Sequence, residues 1–532
     1  MKKSLIYLVV VMLLLSGCDS DGQKIEGIQI NLSDSQITVD GKEVTSDDTQ
    51  AVYTAKDIVF YLAGQDFTYG AGEKQDEHQQ SEADVHTVVH ITKPGTYILS
   101  GKLSQGQVAV DLGKEAKTDP DAVVTLVLNN VDITCTVAPA VIFYNVFEPF
   151  HEVTEETATK DVDTKNAGAN VIIADGTENN INGSYVAKIY KSYELSEDGK
   201  SVADSKKLHK YDGAFYSKMT MNVGGGNKGT GILNIKAENE GLDSELHLTI
   251  NGGIINITAG NDGINTNEDN VSVTTVNGGT LNILCDGSTG EGDGIDSNGW
   301  LVINGGTVTA QACSTSGDAG IDSDMGIYIN GGKVMATGNM LDHIAGGDQT
   351  YVVLRFANCQ SGNTYTLKNA KGKTVGEYKP INAFTYLIVA GDEFTPGDYT
   401  FWQGDTQLAA SKTQNMQGGI PGGERPNIPN GEQGTPPEIP EGMGQPGIPD
   451  GETPQGQRPG IPDGETPQGQ RPGMPSGEAP NGNPPDMPEG MIPSEKPGGM
   501  MGGNMMPGGE TSTTFTIAKG GNQFANVGPA KD

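Results

Sequence analysis

The chain has 532 residues and a formal net charge of −34, from 68 acidic against 34 basic side chains. That balance argues against nucleic acid as a partner, because affinity there comes largely from neutralising phosphates with Lys and Arg. Gly numbers 76, roughly twice its usual share, and apolar residues make up only 35%, which argues against a helical bundle or a large α/β enzyme and leaves disorder or a glycine-turned all-β repeat.

In chain order, Lys2 and Lys3 precede an apolar run from Leu5 to Leu15, the layout of a secretory signal. The run is too short to cross a bilayer as a helix. Leu15, Ser16, Gly17 and Cys18 resemble the lipobox of bacterial lipoproteins. The resemblance implies cleavage after residue 17, lipidation of Cys18, a tether over 18–30, and export to the outer face of a bacterial membrane at the cell surface. Membrane contact is then expected through lipid alone. Cys135, Cys285, Cys313 and Cys359 match no zinc or redox spacing and are expected to be free thiols, mostly buried.

Short strands are predicted at residues 36–39, 95–101, 123–128 and 170–174, and a charged surface loop from Ser184 to Lys210. One unit then recurs four times. It opens with Gly241-Leu-Asp-Ser244, Gly263-Ile-Asn-Thr266, Gly294-Ile-Asp-Ser297 and Gly320-Ile-Asp-Ser323. A short strand follows each opening and ends in Asn-Gly-Gly at Asn251, Asn277, Asn304 and Asn330, spaced 26, 27 and 26 residues apart. A third strand alternates apolar and polar residues, as in Ile255, Ile257 and Ala259. Three strands per turn with period-2 alternation predict an all-β, right-handed parallel β-helix, in which coils stack about 4.8 Å apart. Glycine supplies the positive φ of the tight turns.

Residues 350–356, 382–389 and 398–402 are more aromatic and less periodic, as strands that cap an open solenoid edge would be. Residues 31–411 thus read as one domain with its cap. Between 412 and 510 lie 21 of the 28 prolines and no Phe, Tyr or Trp, so a disordered Pro/Gly-rich insert is expected. A terminal strand within 511–532 is expected to rejoin the body.

The repeat stacks Asp243, Asn265, Asp296 and Asp322 into one outward column. Glu240, Asp262, Asp293 and Asp318 form a second, three or four residues earlier. Like charges at coil spacing repel and raise one another's pKa unless compensated. Calcium, a hard cation that takes six to eight oxygens, is the expected compensator, with these eight residues as its candidate ligands. Trp300 and Tyr328 fall on neighbouring coils and are expected to form an aromatic platform for a sugar ring.

Taken together, Gly95-Thr-Tyr-Ile-Leu-Ser-Gly101, Thr125-Leu-Val-Leu-Asn-Asn130, the tandem units and Phe401-Trp-Gln-Gly404 resemble exported bacterial carbohydrate-binding β-helix proteins. That resemblance implies a pectate-lyase-like, calcium-binding monomer that adheres to cellulose or acidic polysaccharides. Lyases of this shape abstract a proton with a basic residue, usually Arg, yet no Arg occurs between Val146 and Ala345, and Lys236 and Lys333 occupy ordinary outward positions. Binding without catalysis is therefore expected. Polysaccharide lyase and structural adhesin are the alternatives.

Overall fold

The computed structural model describes residues 26–413 and 511–531, which belong to one compact unit. The signal segment, Cys18 and residues 414–510 of the Pro-rich insert lie outside the described residues. The described chain is all-β. Its one α-helix among these residues is the five-residue turn Gln80–Asp84. Two expected boundaries shift. Ile28–Leu32 is already a strand, paired with Gly95–Leu103, and Thr406–Thr413 runs past residue 411.

Each repeat contributes to three ladders of parallel strands. The first carries the acidic residues and joins Thr87–Ile91, Gly106–Asp111, Val141–Asn145, Gly213–Ser217, Glu240–Ser244 and Ile264–Thr266. Ile295 extends it as a single parallel bridge to Ile264, so the last two Gly-Ile-Asp-Ser segments are held by individual bonds and not by full strands. The second ladder runs from Ala169–Ile173 through Met221–Gly225, Leu248–Ile250, Val273–Val276 and Trp300–Ile303 to Gly326–Ile329. The third joins Glu178–Gly183, Ile232–Ala237, Ile254–Ala259, Thr280–Cys285, Thr307–Gln311 and Lys333–Gly338.

The alternation in the sequence explains the core. Leu242, Ile264, Ile295 and Ile321 face inward from the first ladder and meet Ile255, Ile257, Leu281 and Ile283 from the third. Each such side chain, fully buried, contributes about 1.5–3 kcal/mol. The second Gly of every Asn-Gly-Gly turn, at 253, 279, 306 and 332, has φ between 81° and 91°, which only glycine adopts without strain. The Asn side chains of these turns bond along the stack, Asn277 to Asn251, Asn304 to Asn277 and Asn330 to Asn304, at 2.8–2.9 Å. A second amide row on the third ladder links Asn282, Asn256, Asn234 and Asn180 in the same way.

Beyond Lys333–Gly338 the pairing turns antiparallel, to Phe384–Ala390, and a second core of Phe356, Tyr365, Phe384, Phe401 and Phe515 forms. Phe515–Ile517 pairs with Gly397–Gln403, and Gly521–Pro529 with both Tyr351–Gln360 and Thr406–Thr413.

The segment expected to be a loop from Ser184 to Lys210 is instead a two-stranded antiparallel hairpin, Val186–Leu195 with Val202–Tyr211. Its alternating Lys, Tyr, Val and Leu residues pair across the turn as edge strands do. The hairpin also pairs with the amino-terminal region, through a Gly70–Ile189 bridge.

Candidate functional site

The hairpin delivers Asp212 to the first ladder. Gly213 follows it and lies so close to the next coil that an added Cβ would sit 2.5 Å from the Cβ of Asp243. Register pairs Gly213 with Glu240, Tyr216 with Asp243, and Asp243 with Asn265. Asp212, Glu240 and Asp243 thereby converge, each offering one oxygen within 4.8 Å of the others.

All three are buried; Asp243 is 0% exposed and Glu240 5%. Asn265, 7% exposed, donates its amide to Glu240 Oε1 and Asn267 Oδ1, both at 3.1 Å, and Asn267 donates to Asp243 Oδ1 at 2.6 Å. Three buried oxygens then lack a partner among the described residues: Glu240 Oε2, Asp243 Oδ2 and Asn265 Oδ1. A buried acceptor left unpaired is costly, and all three are hard oxygen donors. They fit calcium, whose ligand oxygens sit 2.3–2.6 Å from the ion and hence up to about 5 Å from one another.

The electrostatics agree. Burial, then repulsion from Asp243 and Asp212, pushes the Glu240 carboxyl well above its ordinary range. Burial, then Asp212 and Glu245, does the same to Asp243. Burial also raises Asp212 despite Lys210, whose Nζ lies 2.5 Å from Asp212 Oδ2. Around this cluster Lys207 pairs with Glu245 at 2.7 Å, and Tyr216 donates its hydroxyl to the same carboxylate.

The columns were expected to be exterior throughout, and this is corrected. Asp243 and Asn265 point away from the apolar core yet are buried, and the chain leaving the hairpin sets Asp212 and Lys210 beside Asp243. Asp296 and Asp322 remain half-buried.

Asp262, Asp293 and Asp318 are used differently. One oxygen of each accepts a backbone N–H from a neighbouring coil: Asp293 N to Asp262 at 2.7 Å, Ala319 N to Asp293 at 2.5 Å and Gly292 N to Asp318 at 2.6 Å. Ser323 N bonds Asp342 at 3.1 Å in the same manner. Burial followed by neighbouring carboxylates raises Asp293 to about 10 and Asp322 to about 8. Asp262, opposed by its backbone N–H, rises to about 7, as does Asp296.

Trp300 and Tyr328 sit on adjacent strands but not opposite one another. Trp300 faces Gly326 across the ladder, and Tyr328 faces Val302. Lys160 Nζ lies 5.1 Å from the centre of the Tyr328 ring. Lys160 belongs to a segment, 146–168, that runs over this face. Phe150 packs edge-on against His247 with ring centres 4.5 Å apart, and Thr164 Oγ1 lies 2.7 Å from Asn222 Oδ1 and from Thr249 Oγ1. His247, which alternation with the inward Leu248 turns away from the core, is consequently buried under this segment, and burial lowers its pKa to about 4.

Two members of the cluster escaped the sequence reading. Asp212 opens Asp212-Gly213, the same dipeptide that heads Asp262-Gly263 and Asp293-Gly294, but one inserted residue in that coil hides the match. Asn267 lies two residues after Asn265 and so shares its face.

A family model described as "Carbohydrate-binding domain-containing protein" matches residues 85–195 and 163–421. Among curated proteins none matches. A solved structure described as the polysaccharide lyase-like protein from C. thermocellum, a gadolinium derivative, is similar at 20% identity and a TM-score of 0.31, covering 58% of this chain and 93% of its own. Since the family model spans well over half of the sequence, this chain belongs to the carbohydrate-binding domain-containing proteins.

Proposed function

We propose that the protein is a non-catalytic polysaccharide-binding protein, exported, tethered by lipid on Cys18, and dependent on calcium held by its acidic ladder. Its three parallel ladders are read as the faces of a right-handed parallel β-helix, whose stacked coils put side chains from successive repeats in line. A single observation carries the calcium reading: Glu240 Oε2, Asp243 Oδ2 and Asn265 Oδ1 are buried, unpartnered among the described residues, and set beside Asp212. Asp212, Glu240, Asp243 and Asn265 would hold the ion. It would supply the positive charge that these buried carboxylates lack and so hold in place the coils that present a face to an acidic or cellulosic glycan.

Binding is favoured over eliminative cleavage because no Arg occurs between Val146 and Ala345, and Lys207, beside the cluster, is engaged by Glu245. Retention on polygalacturonate and on cellulose, measured with millimolar calcium and with EDTA, tests the proposal. Retention in calcium, lost in EDTA and in Asp243→Asn, is expected. Retention on neither glycan, or release of unsaturated uronate from the acidic one, would overturn it.

A further inference from the structure

The acid cluster already contains a cation, and it belongs to the protein. Lys210 is the penultimate residue of the hairpin strand Val202–Tyr211, two residues before Asp212, and its ammonium reaches Asp212 Oδ2 at 2.5 Å. That contact satisfies one carboxylate oxygen. Glu240 Oε2 and Asp243 Oδ2, buried in the same cluster, are left with no partner among the described residues. One monovalent group on a flexible stem therefore faces three convergent carboxylates and covers one of them.

An ammonium brings a single charge and three donors. Calcium brings two charges and room for six to eight oxygens, so it suits the set Asp212, Glu240, Asp243 and Asn265 better than lysine does. Both cations need Asp212, and two positive charges side by side in a buried site repel. Lys210 also has somewhere to go, since its side chain is 43% exposed while that of Asp212 is 10% exposed.

We propose that Lys210 is a resident counter-ion that holds the acid cluster together without metal and is displaced into solvent when calcium binds. The inference rests on the calcium reading above and adds to it a built-in competitor that sets the metal affinity. Lys207, on the same strand, is the internal control. It pairs with Glu245, outside the convergent trio, and calcium leaves that pair in place.

The test uses the full chain and two readouts. In calorimetric titration with calcium chloride, Lys210→Met binds the metal about fivefold more tightly than the wild type, the equivalent of the about 1 kcal/mol of a partly exposed ion pair. Lys207→Met keeps the wild-type affinity. In the unmodified protein, acylation of lysines by an N-hydroxysuccinimide ester, followed by peptide mass spectrometry, is faster at Lys210 in calcium than in EDTA and unchanged at Lys207. Equal or weaker calcium binding by Lys210→Met, or a Lys210 acylation rate that calcium leaves unchanged or slows, overturns the inference while the metal site stands. Absence of calcium binding in both wild type and Lys210→Met overturns the metal site and the inference together.

Discussion

The acidic ladder contains two regions that the repeat alone would make alike. At Asp212, Glu240 and Asp243 the carboxylates converge and leave oxygens unpaired. At Asp262, Asp293 and Asp318, one to three coils further on, each carboxylate gives an oxygen to a backbone N–H of a neighbouring coil. The motif is shared, since Asp212, Glu240, Asp262 and Asp293 each precede Gly and Asp318 precedes Ala-Gly. What differs is the neighbouring chain. The chain leaving the hairpin sets Asp212 and its partner Lys210 beside the first region, whereas carboxylates of the second take hydrogen bonds from neighbouring coils. A repeated acidic motif therefore builds an unsatisfied oxygen cluster where an insertion adds a further acid, and an inter-coil fastening where none does.

The largest expected effect separates the two regions by pH. In an unfolded chain these carboxylates titrate near 4. In the folded, metal-free protein Asp262 and Asp296 titrate near 7, Asp322 near 8 and Asp293 near 10, with burial as the first cause in each. Above pH 4 the native state therefore binds more protons than the unfolded state, and stability falls as pH rises toward these values. Melting in EDTA should drop by on the order of 5 °C between pH 5 and pH 8. In millimolar calcium the drop should shrink, because metal replaces the missing protons at the convergent cluster and stabilises by mass action. A melting temperature in EDTA that is flat or rising over this interval would contradict the assignment.

A smaller effect sharpens the same contrast. Asp293→Ala leaves the Ala319 N–H without its acceptor and should cost about 1–3 kcal/mol in chelator and calcium alike. Asp293→Asn keeps an acceptor oxygen and should recover most of that loss. Asp243→Asn, by contrast, removes a buried repulsive charge, so in EDTA it should be neutral or stabilising, and its cost should appear only as a lost calcium response. Denaturant titrations of the three variants in both buffers read these differences directly. A calcium-dependent loss in Asp293→Ala would show that the two regions work as one.

Much of this was legible from the repeat. Period-2 alternation at Leu233, Ile235 and Ala237 marks the inward face, and the Asn-Gly-Gly spacing aligns residues that prove to be in register, such as Asp243 with Asn265. The register survives because slipping by one residue would turn the whole inward set outward. What the repeat could not carry lies in its interruptions. The hairpin Val186–Leu195/Val202–Tyr211 and the covering segment 146–168 occur once each, so no internal comparison reveals where they dock. Residues that alternation alone places in solvent are buried near both, Asp243 beside Asp212 where the chain leaves the hairpin and His247 against Phe150.

The smallest expected effect tests the open side of the second ladder, where Trp300 and Tyr328 are half-buried. Their strands are adjacent, and Trp300 stands opposite Gly326, where the side chains of Ala345, Tyr328 and His343 crowd in to within 4.0 Å of the missing Cβ. Tyr328 stands opposite Val302 and has the Lys160 ammonium near its ring. A pyranose stacking on this side should thus depend more on Trp300 than on Tyr328. An aromatic stacking contribution of about 0.5–1.5 kcal/mol corresponds to a fall in glycan retention of about two- to tenfold for Trp300→Ala. Tyr328→Ala should lose less, because removing the ring also releases Lys160 to meet a sugar carboxylate. Neither change opens the main apolar core, so both should melt within about two degrees of the wild type. Affinity electrophoresis in polygalacturonate gels, with calcium present, gives the ranking. Equal retention by wild type and both variants would move the contact off these rings, and the amide row of Asn234, Asn256 and Asn282, with its regular donors and acceptors at coil spacing, would be the next face to substitute.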